Sequence, residues 1–205
     1  MTEWKLRSVT AVPAKVSGRW ALRVALSDAV AATGRPGVDF VDMPTFALAP
    51  IDFRNGVISV DILSRLAGNA PDYARAFAGL AYRVAADGDG FEAVYLRPLN
   101  GRKVSPPPPR DKRAIQYFAY PNWKFDRLRE VYPDGPFEAG LDIGPGEWTN
   151  LRIEVAEEQV VARVNGQPAL GPMTNKAIPV AGAIGLWVDI GTEAYFSNLT
   201  VTRTT

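Results

Sequence analysis

The sequence predicts an all-β protein, folded as an antiparallel sandwich or barrel, and two observations support this. Large apolar residues alternate with small or polar ones in many short segments, which is the period of half-buried strands. Few windows have helical periodicity, and the 18 glycines and 17 prolines among the 205 residues suit many turns better than long helices. Many short strands without intervening helices are typical of antiparallel sandwiches and barrels.

The predicted elements follow one another along the chain. Alternation over residues 20–26 predicts a first strand, and the alanine-rich run 27–33 that follows predicts a helical turn. Two alternating runs that flank the Asp87-Gly88-Asp89-Gly90 turn predict a β-hairpin, which is the clearest local pattern in the sequence. The remaining predictions are strands at 57–62, 115–119, 151–155, 160–164, 183–188 and 195–201, a short helix or loop at 72–78, and a polyproline loop at 106–109.

Length and charge limit the domain organisation and the partners. A prior of about 150 residues per domain favours one domain over residues 1–205. With 23 basic and 22 acidic residues, the formal net charge of +1 argues against nucleic acid or a membrane surface as a partner. The first residues lack the apolar stretch of a secretory signal, so we expect a cytoplasmic protein. The oligomeric state stays open.

Two amino acids are absent, and their absence narrows the possible chemistry. Without cysteine, the chain has no disulfide, no thiolate metal site and no cysteine nucleophile. Without histidine, it has no Ser-His-Asp arrangement and lacks the commonest metal ligand. Residues 87–90 resemble a calcium loop, but the glutamate that an EF-hand requires downstream is missing, so a hairpin turn explains them better. We therefore predict no metal and no cofactor.

The segment 53–62, which reads FRNGVISVDI, resembles the F-x-x-G-x-I-x-V-x-I opening of the concanavalin A-like lectin/glucanase superfamily. Further similar segments follow in order at 79–83, 92–98, 116–117, 148–153 and 185–199. The branch that they resemble most is the laminin-G-like jelly roll, which includes candidate glycoside hydrolases and domains of unknown function. The resemblance covers roughly residues 20–202. It implies a two-sheet jelly-roll sandwich with its ligand on the concave face of one sheet or in the rim loops.

The resemblance implies a carbohydrate-active or carbohydrate-binding protein, with glycoside hydrolysis as one possibility. Glucanases of the superfamily carry an E-x-D-x-x-E motif on one strand, and this sequence has none, so no catalytic residue is assigned. One alternative is a lyase in which Tyr95 acts as base while Arg83 or Arg97 neutralises a carboxylate. Another is a non-catalytic binding or protein-interaction module of laminin-G type.

Strand parity predicts the binding residues. Counting alternate positions from the apolar residues places Arg83, Tyr95, Arg97 and Gln116 on one face of three neighbouring strands. Guanidinium donors, an aromatic ring and an amide together suit a sugar with hydroxyl or carboxylate groups. The alternative is a solvated sheet face with ordinary cross-strand pairs.

Two further features concern the ligand. Trp123 lies in a turn-rich loop among six aromatic residues at 117–132, and we predict that it stacks on a sugar ring, the alternative being packing in the core. Six basic residues between 97 and 113 face a single acid there and could line a site for a uronic acid or a sugar phosphate, although such runs are usually solvated loops. The predicted partner is thus a carbohydrate or sugar-bearing small molecule, neutral or anionic. The six basic residues are Arg97, Arg102, Lys103, Arg110, Lys112 and Arg113.

Overall fold

A computed structural model describes residues 3–177 and 180–204 of the chain. Within these residues the chain forms fourteen strands, two α-helices and three short 3-10 turns. The strands are β1 (Lys5–Arg7), β2 (Val9–Val16), β3 (Arg19–Leu26), β4 (Phe46–Phe53), β5 (Asn55–Leu66), β6 (Ala78–Val84), β7 (Phe91–Leu96), β8 (Ile115–Tyr120), β9 (Glu138–Ala139), β10 (Thr149–Ala156), β11 (Gln159–Val164), β12 (Gln167–Thr174), β13 (Gly182–Val188) and β14 (Thr192–Thr204). The helices are α1 (Asp28–Thr33) and α2 (Phe125–Val131).

The described strands form two sheets of seven strands each. Sheet A has the order β1-β4-β13-β6-β7-β8-β9, and sheet B has the order β12-β11-β10-β5-β14-β3-β2. Every pair of neighbouring strands is antiparallel. Apolar side chains of both sheets share one hydrophobic core. The predicted all-β antiparallel sandwich is therefore confirmed.

Sheet B has one buried and one half-exposed face. In β5, Ile58, Val60 and Ile62 are buried, and the residues between them are half-buried. Leu151 and Ile153 of β10 lie opposite Val60 and Ile58 in the register, and both are buried as well. This alternation is the pattern that predicted both strands from the sequence.

Sheet A is buried on both faces at its centre, since every residue of β6 and β7 is buried. The inner face, which is turned toward sheet B, carries Tyr82, Glu92 and Tyr117, whose hydroxyl and carboxyl groups meet. Neighbouring positions have the opposite parity and place an aromatic cluster on the outer face. The indole of Trp187 in this cluster donates to the carbonyl of Met43 at 2.8 Å, so the segment that leads into β4 covers the outer face. The cluster comprises Phe46, Phe91, Tyr95, Phe118, Tyr120 and Trp187.

Several strands contain proline, and the sequence pattern does not predict them. The strands β2 and β12 each contain proline, and both lie at the edges of sheet B, where a missing N–H costs no ladder bond. In β4, Pro50 lies where the register with β13 shifts between Ala49 and Phe53. The sequence analysis did not predict these three strands, because proline usually marks the end of a strand.

The two helices are short. The predicted helical turn at 27–33 is confirmed as α1, whose first turn is capped by the Ser27 hydroxyl. Residues 72–78 contain no helix, which is the loop alternative of the prediction. With six and seven residues, α1 and α2 are far too short to span a membrane, and no other helix among the described residues could do so.

Glu92 is the centre of a buried polar group on the inner face of sheet A. Its carboxylate accepts from the hydroxyl of Tyr117, and the Tyr82 hydroxyl lies 3.5 Å away. The guanidinium of Arg83 lies 3.7 Å from the second carboxylate oxygen. Burial raises the pKa of Glu92 from 4.5 to about 7, although Tyr117 and Arg83 oppose this change. Between these two pH values the native protein therefore retains a proton at Glu92 that the unfolded chain releases.

Because the folded protein binds this proton at Glu92, its stability depends on pH. Between about pH 4.5 and pH 7 the folded state binds more protons at Glu92 than the unfolded state, so the free energy of unfolding falls as pH rises through this window. We expect Glu92→Gln to make this decline shallower in chemical denaturation at a series of pH values. Glu130→Gln, which changes an exposed residue of α2, is the control and should leave the decline as it is. An unchanged decline in Glu92→Gln would contradict the assignment.

Candidate functional site

A cavity of about 240 Å³ opens at the end of sheet A where β6 begins and where β7 and β13 end. Guanidinium groups dominate its walls, and we call it the arginine pocket. The five arginines are Arg75, Arg97, Arg110, Arg113 and Arg129.

The fold collects these arginines from separate segments. Arg75 lies just before β6, Arg97 directly follows β7, and Arg129 lies on α2. Arg110 and Arg113 belong to the long connection between β7 and β8. The two ends of this connection are joined, because the backbone N–H of Arg97 donates to the carbonyl of Ala114 at 2.7 Å. This bond brings Arg113 and the basic residues before it close to Arg97.

Arg97 is the best anchored of the five, and it is buried. Its guanidinium donates to the Glu138 carboxylate and to the Tyr95 hydroxyl, at 2.6 Å each, and to the side-chain oxygen of Gln116 at 3.3 Å. The same guanidinium lies 5.0 Å from the centroid of the Tyr95 ring. These contacts fix the position of Arg97 across β7, β8 and β9.

Glu138 is the common counter-ion of three arginines. Besides Arg97, it accepts from Arg129 Nε at 2.7 Å, and Arg113 Nε lies 3.6 Å from it. Burial would raise the pKa of Glu138, but the hydrogen bond from Arg129 and the charges of Arg97 and Arg129 outweigh burial and lower the pKa below 4.5. One carboxylate therefore balances one of three positive charges.

Arg75 and Arg110 differ from the other three arginines. Among the described residues, neither has a carboxylate within ion-pair distance. Arg75 donates only to the backbone carbonyls of Asp72 and Ala74, and the Arg110 side chain makes no hydrogen bond within this part of the chain. Burial, followed by the charges of Arg110 and Arg97, lowers the pKa of Arg75. The positive charge of these two arginines is therefore offset only in part, since Asp72 acts on Arg75 without forming an ion pair.

Two buried acids, Asp42 and Asp189, lie in the pocket wall. Asp189 accepts from the backbone N–H groups of Val41, Asp42 and Ile190 at 2.9, 3.0 and 2.7 Å. These bonds hold a turn in which Val41 and Asp42 have φ angles of +72° and +53°, a region that L-residues rarely adopt. Burial, aided by the charge of Asp189, raises the pKa of Asp42 to about 7.

Aromatic side chains complete the walls. Tyr73, Phe77, Tyr95 and Phe125 line the pocket. Phe125 lies 4.7 Å under the Arg129 guanidinium, and Tyr95 packs edge-on against Phe77. Tyr73 is 49% exposed, and its side chain is therefore the one that can reach a ligand from the solvent side.

Three of the five residues predicted to bind carbohydrate lie together. Tyr95 and Arg97 line the arginine pocket, and Gln116 bonds to Arg97 within it. Gln116 also lines a second cavity of about 350 Å³, which shares Arg113 and Arg129 with the arginine pocket. Tyr95, Arg97 and Gln116 thus lie together, as strand parity predicts.

Arg83 does not share the face predicted for it. Its guanidinium points toward sheet B, where it donates to the carbonyl of Arg54 at 2.8 Å and to the Asn55 side chain at 3.0 Å. The reason is a β-bulge: the register between β6 and β13 shifts beside Arg83, whose φ angle is +53°. An extra residue in the strand reverses the parity, which the sequence pattern does not reveal.

Trp123 is half-buried and lies outside the arginine pocket. The cations of Arg127 and Lys176 lie 4.6 and 5.3 Å from its ring centroid, and the Tyr132 ring lies 6.0 Å away. The indole therefore already has two cations and one aromatic ring of the chain itself as neighbours.

Sequence reasoning missed four charged residues of the pocket, namely Arg75, Arg129, Asp42 and Asp189, and also its exposed ring, Tyr73. They come from segments that no local pattern connects with β7 and β8. Arg110 and Arg113 did carry a signal, because they belong to the basic run between residues 97 and 113. Among the residues that the structure describes, no group of three or more acidic side chains could hold a metal ion.

Known proteins resemble this chain in structure and not in sequence. No protein-family model and no curated protein matches it. The carbohydrate-binding module CBM66 from Bacillus subtilis superposes with a TM-score of 0.60 at 13% identity, and 96% of each chain is covered. The fold is a galectin-like jelly roll.

Two other solved structures support this fold. A Bacillus subtilis protein of unknown function with a galectin-like fold has a TM-score of 0.56 at 13% identity, and the match covers 98% of this chain and 89% of that one. A candidate glycosyl hydrolase from Parabacteroides distasonis has a TM-score of 0.51 at 13% identity, with 98% and 100% covered. The predicted two-sheet jelly-roll sandwich is therefore confirmed, and the laminin-G-like branch stays a prediction.

Because Glu138 is the counter-ion of three arginines, we expect its replacement to lower stability strongly. Replacing Glu138 by glutamine leaves three guanidinium groups close together without a carboxylate, and we expect the free energy of unfolding to fall by about 3 kcal/mol. Glu154→Gln is the matched control, because Glu154 also contacts two arginines, at 3.0 and 3.4 Å, but on the exposed face of sheet B. There we expect a loss below about 1 kcal/mol. Equal losses in urea denaturation would contradict the role of Glu138.

Proposed function

We propose that the protein binds a carbohydrate and that the arginine pocket holds one sugar unit. The observation that carries this proposal is the pocket itself, in which hydrogen-bond donors, carboxyl groups and aromatic rings converge on one cavity at the end of a sheet. A volume of about 240 Å³ offers room on the order of eight water molecules at about 30 Å³ each, which suits a single sugar ring.

The chemistry of the walls matches that of a sugar. Guanidinium groups donate hydrogen bonds to ring and hydroxyl oxygens, and the Asp42 carboxyl group offers an acceptor, or a donor when it is protonated. The exposed ring of Tyr73 at the mouth can cover the C–H face of a pyranose. Tyr95 and Arg97 supply contacts from the wall, and Gln116 positions Arg97.

Proteins of the same fold favour this proposal. One of the similar structures is named as a carbohydrate-binding module, and another is a candidate glycosyl hydrolase. At 13% identity these names point to carbohydrates as a ligand class, but no functional residue of those proteins can be assigned to this chain. The support for binding by the arginine pocket therefore comes from the side chains of this protein.

Glycoside hydrolysis is the second candidate, because two carboxyl groups line one pocket. Glycosidases use two carboxyl groups that flank the scissile bond, and Asp42, with a pKa raised to about 7, has the character of a general acid. Asp189, however, accepts three backbone N–H bonds and is thus engaged in holding the turn. The lyase alternative is weaker, because burial raises the pKa of Tyr95 well above 10. Binding without turnover accounts for these observations most simply.

Calorimetric titration with a panel of monosaccharides tests the proposal. We expect Tyr73→Ala to weaken binding by about three- to tenfold, since it removes one ring–sugar contact. Trp20→Ala is the matched control: Trp20 is 70% exposed on β3, in the other sheet, and its loss should leave binding unchanged. If Trp20→Ala weakens binding and Tyr73→Ala does not, the sugar site lies elsewhere. Release of sugar from aryl glycosides by the wild-type protein would favour the hydrolase instead.

A further inference from the structure

The charges around the arginine pocket do not cancel. Five guanidinium groups line it, and the carboxyl groups in its wall or bonded to its arginines are those of Asp42, Asp189 and Glu138. Five positive charges against at most three negative ones leave an excess of at least two. Any proton that remains on Asp42 increases this excess.

The excess belongs to the two arginines of the pocket that have no ion pair among the described residues. Glu138 is committed to Arg97, Arg113 and Arg129. Asp189 is committed to backbone N–H groups. This leaves Arg75 and Arg110 without a carboxylate among the residues that the structure describes.

Both of these arginines are half-buried and face the same cavity. Burial and, after it, repulsion from the guanidinium groups of Arg110 and Arg97 lower the pKa of Arg75. The pKa of Arg113, which also lines the pocket, is lowered in the same way by burial and by the charge of Arg129. An oxyanion seated among these groups relieves the repulsion, and it meets planar donors that match its geometry.

We propose that the ligand of the arginine pocket is an acidic sugar, whose negatively charged oxyanion group is bound between Arg75 and Arg110. This inference rests on the proposed function and narrows its ligand class. A neutral sugar fills the same volume but leaves both guanidinium groups without a counter-ion. The charge distribution therefore selects for a uronic acid or a sugar phosphate over a neutral hexose. The carboxylate of a uronic acid and the phosphate of a sugar phosphate are both oxyanions, and the titration described next distinguishes between them.

Calorimetric titration of the whole chain compares matched ligands. The probes are glucuronate and galacturonate, glucose 6-phosphate, glucose and galactose, and acetate and inorganic phosphate alone. We expect at least one acidic sugar to bind about tenfold or more tightly than its neutral counterpart, with an affinity that falls between about 20 and about 200 mM salt. A preference for uronates or for the hexose phosphate then identifies the oxyanion.

Substitutions locate the charge contact. Arg110→Gln and Arg75→Gln should each lower the affinity for the acidic sugar by about tenfold and leave that for the neutral sugar unchanged. Arg110→Lys should recover part of the loss, because it restores the charge without the planar fork. Arg102→Gln is the control, since Arg102 is exposed in the same connection and does not line the pocket. The melting temperature of each variant shows whether it is folded.

Three outcomes would overturn the inference, and they differ in what they imply. Equal binding of acidic and neutral sugars rejects the acidic ligand and leaves the proposed function intact. Binding of acetate or phosphate alone, as tight as that of any sugar, rejects both the acidic sugar and the proposed function. Losses in Arg102→Gln as large as those in Arg75→Gln and Arg110→Gln reject the location and indicate a diffuse effect of surface charge.

Discussion

The buried guanidinium of Arg97 is the interaction on which the site depends. It follows β7, bonds to Tyr95 on the same strand and to Gln116 on β8, and pairs with Glu138 on β9. Glu138 also links this group to α2, because Arg129 donates to it and to no other carboxylate among the described residues. A buried ion pair contributes little net stability, but it specifies one arrangement, because any other leaves a charge without a partner. The pocket walls are therefore fixed by the same contacts that join these three strands.

The closed outer face of sheet A explains why the site lies at the end of the sheet. Aromatic rings of this face pack edge to face, for example Phe91 against Phe118 at 5.5 Å and Phe118 against Trp187 at 5.4 Å. The segment before β4 lies over them and accepts the indole hydrogen bond of Trp187. Little of this face is left for a ligand, because all of β7 is buried. Polar groups become accessible only where the strands end and the loops diverge.

Sequence reasoning predicts what depends on neighbours in the chain. Period-two alternation gives the sandwich, the hairpin and the proximity of Tyr95 to Gln116, because strand parity and pairing are local properties. It fails at Arg83, where one extra residue in the bulge turns the side chain to the other face. It cannot assemble Arg75, Arg129 and Asp189 at one cavity, because their proximity results from the packing of loops that lie far apart in the sequence. The basic run near residue 110 offered an anionic site as one possibility, although such runs are usually solvated loops.

The turn at Val41 and Asp42 is a strained part of the pocket wall. Two successive non-glycine residues with positive φ cost roughly 1–3 kcal/mol each, and a β-branched valine tolerates this region poorly. The three N–H bonds to Asp189 offset that cost, and they occupy the carboxylate that stands nearest to Asp42. Asp189 is thus unable to turn toward Arg75 or Arg110 without releasing the turn. The commitment of Asp189 to this turn is therefore one reason why Arg75 and Arg110 have no ion pair among the described residues, and the proposed acidic ligand supplies that negative charge.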